Sequence, residues 1–171
     1  NNDKENVLSL GKSVNSRHLK MPSTSSNIFQ AIYFNIKRIL ILSRFFSKTK
    51  PDIILSFIFT TNILVILSSL FINKRVIVCE RNDPKNQKLS FIWWFLRKIL
   101  YKKASMVTVN SIHAFNFFSK TVHEKKLKYI PNFTNFITKS NSKISVKFFL
   151  LAVGRLTYQK GFDILIKDFF Y

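Results

Sequence analysis

Two cationic residues between two glycines form the segment of this sequence most suggestive of chemistry. Gly154 and Gly161 are two of only 3 glycines in the 171 residues, and Arg155 and Lys160 lie between them. Glycine allows a tight turn and the close approach of a ligand to the backbone. Arg supplies a planar set of donors and Lys a point charge, which together suit a phosphate. The segment therefore predicts a site for an anionic ligand.

Two further polar clusters follow apolar runs that have the pattern of buried strands. They are Thr60, Thr61 and Asn62, after residues 53–57, and Glu80, Arg81, Asn82 and Asp83, after residues 76–79. In open α/β sheets, ligands bind at the carboxyl ends of the strands, so both clusters are candidate site residues. The alternative interpretation of the second cluster is a solvated turn marked by Asp83 and Pro84.

A helix rich in aromatic and cationic residues is predicted at 89–101. Its candidate membrane-surface residues are Trp93, Trp94, Arg97, Lys98, Lys102 and Lys103. Tryptophan at the interface and cations on lipid head groups would attach such a helix to an anionic membrane surface. The alternative is a helix packed on the sheet, with its basic end in water and complementing the helix dipole.

The composition indicates which classes of partner the chain could bind. The formal charge is +20, from 28 Lys and Arg against 8 Asp and Glu, and this predicts an anionic partner. The basic residues are spread along the chain, as a biased genome composition would also produce. No basic run alternates with aromatics on a polar background, so nucleic-acid binding is not predicted. The 47% apolar content and 19 Phe exclude a wholly disordered protein.

Cysteine and histidine give no metal-binding pattern. The single Cys79 cannot form an internal disulfide, which predicts that the protein resides in a reducing compartment. Cys79 itself is predicted to be a small buried residue of a strand. His18, His113 and His123 have no partner at metal-ligand spacing, so each is predicted to be a surface histidine and no metal site is predicted.

Strand-like and helix-like segments alternate along the chain. The predicted strands are 53–57, 76–79, 106–109, 128–130 and 146–153, with a possible short strand at 7–10; the predicted helices are 28–48, 63–72, 89–101, a segment ending at 118, and 164–170. This alternation predicts an α/β fold with a parallel sheet and helices on both faces. Residues 133–145 are predicted to link two domains.

Three local features accompany this assignment. Ser25 or Ser26 is a candidate N-cap of the first helix, and Asn110 or Ser111 of the fourth. An apolar stripe on the first helix is predicted to pack in the core: Ile28, Ile32, Ile36, Ile39 and Leu40. The run 53–57 is predicted to be covered on both faces of the sheet.

A transmembrane helix at 53–72 is an alternative interpretation. From Ile53 to Asn73 no residue is charged, and about twenty such residues can span a bilayer. Against this alternative, the polar residues 60–62 lie in mid-span, where a strand would turn into a helix. The Pro51 and Asp52 that precede the run are typical of a strand entry.

Four ordered motifs resemble a known enzyme family. Residues 151–156 (LAVGRL) and 159–166 (QKGFDILI) resemble the signature that opens the C-terminal domain of family 4 glycosyltransferases of the GT-B fold. Residues 50–54 (KPDII) resemble the strand entry of that family, and 129–132 (YIPN) resemble the segment before its interdomain linker. Residues 80–84 (ERNDP) resemble a subgroup that builds bacterial surface polysaccharides.

The resemblance implies a two-domain, metal-independent, retaining enzyme that moves a sugar from a nucleotide diphosphate donor to an acceptor. Gly154, Arg155 and Lys160 would bind the donor diphosphate, because fixed cations stabilise the charge that develops on the leaving group. The two polar clusters would face the acceptor, a glycan or a polyprenyl-diphosphate-linked saccharide. The implied location is the cytoplasm, with peripheral attachment to the inner face of the cytoplasmic membrane, and no cofactor is implied beyond the donor.

The departures from the family pattern set the expected domain boundaries. The family's first strand with its Gly-rich loop is not seen at this N-terminus, and many members have a histidine near the position of Arg81 or Asn82. The acidic motif of the C-terminal domain would lie beyond Tyr171. We therefore expect a fragment: an incomplete acceptor-side domain at 1–132, a linker at 133–145, and the start of a nucleotide-sugar-binding domain at 146–171. We expect no transferase activity from the chain alone, and no catalytic residue is assigned.

Overall fold

The computed structural model describes residues 14–22, 27–87, 89–133, 151–157 and 160–169. The chain divides into two compact units, Asn1–Phe133 and Thr134–Tyr171. The predicted strand at 7–10 lies outside the described residues, as does the predicted linker beyond Phe133.

The first unit contains four helices and four strands in alternation. The helices are α1 (Ile28–Thr49), α2 (Phe59–Leu70), α3 (Phe91–Leu100) and α4 (Ile112–Phe118), and the strands are β1 (Ile53–Phe57), β2 (Arg75–Glu80), β3 (Met106–Val109) and β4 (Leu127–Tyr129). Short 3₁₀ helices at Tyr101–Lys103 and Glu124–Lys126 precede β3 and β4. These bounds confirm the predicted order of the elements.

The four strands form one parallel sheet in the order β1-β2-β3-β4. In its register Ile54 lies opposite Val76, Val78 opposite Val107, and Val107 opposite Leu127. This confirms the predicted α/β class, and the arrangement is consistent with a Rossmann-like domain. All four strands end at the same edge of the sheet, which brings the loops after them together.

The helices that connect the strands lie on one face of this sheet. Crossovers between parallel strands are right-handed, so strands added in one direction leave their connecting helices α2, α3 and α4 on the same side. Accordingly, Ile54 and Ser56 of β1 are buried, while Ile53, Leu55 and Phe57 on the opposite face are exposed. The expectation of a β1 covered on both faces is corrected by this burial pattern. The expectation of helices on both faces of the whole sheet stays a prediction.

The core lies between the sheet and these helices. Its fully buried members come from every layer: Ile63 and Ile66 of α2, Val78 of β2, Val107 of β3, and Ala114 and Phe118 of α4. Burying a Val, Ile or Phe side chain stabilises the fold by about 1.5–3 kcal/mol each, so these contacts fix the spacing of the strands.

Helix α1 confirms one prediction and corrects two. Its N-cap is Asn27, whose Oδ1 accepts a hydrogen bond from the Gln30 backbone N–H at 2.8 Å, and not Ser25 or Ser26. Leu42 and Phe46 are its buried residues. Most of the stripe predicted to be in the core is at least half exposed: Ile28, Ile32, Ile36 and Leu40. The helical period was correct, but it did not identify which face packs on α2.

The segment considered as a transmembrane helix folds as two elements. Residues 53–57 form strand β1, and α2 begins at Phe59 and runs for 12 residues. Among the described residues, no helix has both the length and the apolar character needed to cross a bilayer. The alternative of a membrane-spanning helix at 53–72 is therefore not supported.

The described part of the second unit contains helix α5 (Phe162–Phe169), which confirms the helix predicted from residue 164. Of the strand predicted at 146–153, residues 151–153 have no strand pairing, and residues 146–150 lie outside the described part of the chain.

Replacement of Ile63 by Ala tests the packing of α2 on the sheet. Ile63 is fully buried, so Ile63→Ala should lower the free energy of unfolding by about 2–5 kcal/mol through lost contacts and a residual cavity. Urea unfolding followed by circular dichroism measures this. The control is Ile92→Ala on the exposed face of α3, which should change stability by less than about 0.5 kcal/mol. Equal effects in the two variants would contradict the assigned core.

Candidate functional site

Arg81 links the carboxyl ends of all four strands. Its Nη1 donates a hydrogen bond to Oδ1 of Asn132, just beyond β4, at 2.9 Å, and its backbone carbonyl accepts one from Nδ2 of Asn110, just beyond β3, at 3.2 Å. Its guanidinium lies 5.9 Å from the centre of the Phe57 ring at the end of β1. The loops after the strands thus form one connected polar surface at this edge of the sheet.

Asp83 organises the loop after β2. One carboxylate oxygen, Oδ1, accepts a hydrogen bond from the Lys85 backbone N–H at 3.0 Å, and Oδ2 accepts one from Nδ2 of Asn86 at 2.9 Å. Oδ1 also lies 3.3 Å from Nδ1 of His113 at the start of α4. The carboxylate is partly exposed, so it holds the loop and still presents an acceptor to a ligand hydroxyl.

His113 was missed as a site residue because it has no neighbour at metal-ligand spacing in the sequence. The prediction of a surface histidine is correct for its exposure, but its imidazole contacts Asp83 at the carboxyl edge of the sheet. The signal that could have identified it is its position, since His113 follows the end of β3 by four residues. Residues placed there meet the loop after the neighbouring strand.

Glu80 and Asn62 lie beneath this surface. Both are fully buried, with 1% and 0% of their surface exposed. The Tyr101 hydroxyl donates to Oε1 of Glu80, and Nδ2 of Asn62 donates to the Tyr101 hydroxyl oxygen at 3.2 Å and to the Cys79 carbonyl at 3.4 Å. The expectation that Glu80 and Asn62 contact an acceptor is corrected: their side chains position the strand end from which the site loop begins.

Burial controls the ionisation of this cluster. Desolvation raises the pKa of Glu80, opposed by the hydrogen bond from Tyr101 and the positive charge of Arg97. Desolvation also raises the pKa of Tyr101, with the nearby carboxylate adding to the effect. The raised pKa keeps the hydroxyl protonated, as its donation to Glu80 requires.

Arg97 is part of this interior cluster. Only 4% of its surface is exposed, its Nη1 donates to Oε1 of Gln87 at 2.7 Å, and its guanidinium lies 5.4 and 5.5 Å from the ring centres of Phe117 and Phe118. Burial lowers the pKa of Arg97, and the charge of Glu80 opposes that shift. The prediction that Arg97 binds lipid head groups is wrong, because its side chain is buried and donates to Gln87.

The other residues of α3 considered for a membrane surface divide into two groups. Trp93 is half-buried and packs edge-on against Phe59 of α2, with ring centres 6.2 Å apart. Trp94 is exposed, and the Lys98 ammonium lies 5.2 Å from its ring centre. Lys102 and Lys103 are exposed in the 3₁₀ helix that follows. Trp94 and these three lysines remain available to an external partner.

Thr60 and Thr61 lie in the first turn of α2, at the same edge of the sheet as the loops. Thr61 is exposed and Thr60 partly so. Ile58, immediately before the helix, has φ of 71°, which a β-branched residue rarely adopts. Strained backbone at the carboxyl end of a strand often accompanies a binding site. The two threonines thus remain candidates for acceptor contact.

The predicted anion segment is described in part within the second unit. Arg155 and Lys160 are exposed, the Thr157 backbone N–H donates to the Arg155 carbonyl at 2.8 Å, and the Lys160 N–H donates to the Thr157 carbonyl at 2.9 Å. A Cβ at Gly154 would lie 3.1 Å from Cε2 of Phe162, so a larger residue there would require that ring to shift. Gly161 has φ of 65°, which favours glycine.

Metal coordination has no candidate group in the described part of the chain. No three or more His, Cys, Asp or Glu side chains converge there as metal ligands would. Cys79 is a free, buried thiol on β2, as predicted.

Replacement of Glu80 by Gln tests the buried carboxyl. Because its pKa is raised, the folded protein keeps the proton over a pH range in which the unfolded chain has released it. The contribution of the group to the free energy of unfolding is therefore fully present below the ordinary pKa and lost as pH rises through the raised value. As pH rises above the ordinary pKa of a glutamate, Glu80→Gln should therefore lose less stability than the natural protein.

Urea unfolding at a series of pH values measures this difference. The control is Glu124→Gln in the second 3₁₀ helix, where the carboxyl is exposed, and its pH dependence should follow that of the natural protein. A Glu80→Gln variant whose stability changes in parallel with the natural protein would show that Glu80 is not buried in the folded state.

The comparisons with known proteins point to one kind of enzyme. No model of a known protein family matches the sequence. Over 147 residues the chain is 24% identical to a GalNAc-alpha-(1->4)-GalNAc-alpha-(1->3)-diNAcBac-PP-undecaprenol alpha-1,4-N-acetyl-D-galactosaminyltransferase of Campylobacter jejuni. The aligned region covers 84% of this chain and 41% of that enzyme, so the chain spans about two fifths of the length of its relative. The sequence is thus distantly similar to a glycosyltransferase along most of its length.

Proposed function

We propose that this protein is a glycosyltransferase that builds a cell-surface polysaccharide by transferring a sugar from a nucleotide diphosphate donor to a lipid-linked glycan. The observation that carries the proposal is the similarity, over 84% of this chain, to a transferase whose name specifies a diphosphate-undecaprenol acceptor. The parallel sheet supports it, because four strands end at one edge where polar loops meet.

The acceptor contacts come from the carboxyl edge of the first unit. Arg81, Asn82 and Asp83 form the loop after β2, and Thr60 and Thr61 form the first turn after β1. The Asp83 carboxylate accepts hydrogen bonds from acceptor hydroxyls, and Asn82 and Arg81 donate to ring or carbonyl oxygens. A sugar needs this mixture of donors and acceptors.

The donor contacts come from the second unit. Arg155 and Lys160 bind the diphosphate of the nucleotide sugar, and the charge that develops on the departing diphosphate strengthens both contacts in the transition state. Within this proposal the reaction retains the anomeric configuration and uses no metal, since the two cations supply the charge stabilisation. The exposed lysines of α3 and of the following 3₁₀ helix, residues 98, 102 and 103, place the enzyme on an anionic membrane surface, where its acceptor resides.

Replacement of Asp83 by Asn tests the acceptor site. We expect the natural protein to bind a polyprenyl-diphosphate-linked N-acetylhexosamine presented in detergent micelles, as measured by isothermal titration. Loss of the carboxylate should weaken binding about tenfold, since a hydrogen bond to a charged group contributes about 1.5–3 kcal/mol. The side chain of Asn is nearly the same size, but its single oxygen can replace only one of the two carboxylate acceptors that organise the loop, so thermal unfolding verifies that the variant is folded.

The matched control is Asp52→Asn, in the exposed aspartate that precedes β1 at the opposite edge of the sheet. This variant should bind as the natural protein does. The proposed function is overturned if the natural protein does not bind the lipid-linked sugar, or if Asp83→Asn and Asp52→Asn bind with equal affinity.

A further inference from the structure

The contact between Asp83 and His113 joins the loop after β2 to the start of α4. Oδ1 of Asp83 lies 3.3 Å from Nδ1 of His113, and the two side chains are 35% and 51% exposed. Within the described part of the chain, no group forms a hydrogen bond with the other ring nitrogen, Nε2. The pair therefore lies at the carboxyl edge of the sheet with one imidazole nitrogen open to a ligand.

The carboxylate of Asp83 has most of its acceptor positions occupied. A carboxylate offers about four lone-pair positions for hydrogen bonds. Oδ1 accepts from the Lys85 backbone N–H at 3.0 Å and faces His113, and Oδ2 accepts from Nδ2 of Asn86 at 2.9 Å. Pro84, the next residue in the loop, is buried and helps to hold the carboxylate in place. Asp83 therefore keeps about one free acceptor position, on Oδ2, and acts mainly by positioning the imidazole.

Two histidines at opposite edges of the sheet face opposite kinds of group. Nδ1 of His113 faces a carboxylate oxygen, which only accepts hydrogen bonds, so in the neutral ring this nitrogen carries the proton and Nε2 is the acceptor. Nδ1 of His123, just before the turn that leads to β4, accepts from the Lys125 backbone N–H at 3.3 Å, so there Nε2 carries the proton. The neutral imidazole of His113 thus offers a ligand an acceptor atom, whereas that of His123 offers a donor.

The charge of this pair selects the kind of ligand. A carboxylate next to the open nitrogen repels a phosphate, although the chain as a whole has a formal charge of +20. The nearest cation in the sequence, Arg81, donates to Asn132 instead. Two acceptor atoms on neighbouring side chains, Nε2 of His113 and Oδ2 of Asp83, suit a neutral molecule that is rich in hydroxyl donors. A saccharide has that chemistry.

We propose that His113 contacts the acceptor sugar directly. Its Nε2 accepts a hydrogen bond from a sugar hydroxyl, while Asp83 positions the ring and fixes its tautomer. The inference rests on the proposed function for the choice of a saccharide, and it adds a contact residue from α4 to the acceptor site. The main role of Asp83 is then to orient His113, and its free position on Oδ2 binds a second hydroxyl.

The tautomers can be tested without any ligand. Long-range proton–nitrogen NMR spectra of the natural protein, recorded at about pH 8 where an ordinary histidine is neutral, identify the ring nitrogen that bears the proton. We expect the proton on Nδ1 in His113 and on Nε2 in His123, with His113→Asn and His123→Asn assigning the signals. Asp83→Ala should return His113 to the Nε2–H tautomer, which is the more stable one of an isolated histidine side chain.

Two substitutions at His113 separate the roles of its ring nitrogens. The amide of Asn overlaps the position of Nδ1 and that of Gln the position of Nε2, so only His113→Gln can still accept from a ligand hydroxyl. Binding of the polyprenyl-diphosphate-linked N-acetylhexosamine in detergent micelles is measured by isothermal titration. His113→Asn should weaken it about fivefold, through the loss of one hydrogen bond, and His113→Gln less than about twofold. The control, His123→Asn in an exposed residue at the opposite edge, should bind as the natural protein does.

The proposal is overturned if His113 and His123 have the same tautomer, or if His113→Asn binds as tightly as His113→Gln. Thermal unfolding verifies that each variant is folded. Should the Asn variant unfold, the natural protein decides: the Nε2 signal of His113 should move to lower frequency when the lipid-linked sugar binds, and an unmoved signal overturns the proposal.

Failure of this proposal is distinguishable from failure of the proposed function. A lipid-linked sugar that binds both His113 variants normally but binds Asp83→Asn weakly removes the histidine contact and keeps the transferase.

Discussion

The structure depends on a carboxylate buried where strand β2 ends. Glu80 accepts a hydrogen bond from Tyr101, Asn62 donates to the same hydroxyl, and the charge of Arg97 offsets that of the carboxylate. Removing any one partner would leave a buried polar group without compensation, which is costly in a low-dielectric interior. The network therefore fixes α2, α3 and β2 against each other at the edge of the sheet where the site loops begin.

This network supports two neighbouring parts of the first unit. Above Glu80, the chain continues into Arg81 and Asp83, which join the strand ends and contact His113. Beside it, the Arg97 guanidinium packs against the rings of Phe117 and Phe118 of α4.

The type and order of most helices and strands could be predicted from the sequence. The surroundings of their side chains could not. The limits of β3 and the cap at Ser111 follow from local pattern, because β-branched runs and capping side chains act within a few residues. The exposed face of β1 depends on the order of the strands in the sheet. The burial of Arg97 depends in part on the charge of Glu80, which is 17 positions away in the sequence. The periodicity of apolar residues predicts that a helix or strand has an apolar face. Tertiary contacts decide which part of the fold packs against that face.

Amide hydrogen exchange with and without a polyprenyl-diphosphate-linked saccharide tests the central claim most directly, since it locates the acceptor on the folded chain without any substitution. We predict slower exchange of residues 81–87 and 110–113, and no change at residues 123–126 beyond the opposite edge of the sheet. Protection confined to residues 123–126, or no protection in the first unit, would contradict the assignment of the carboxyl edge as the acceptor site.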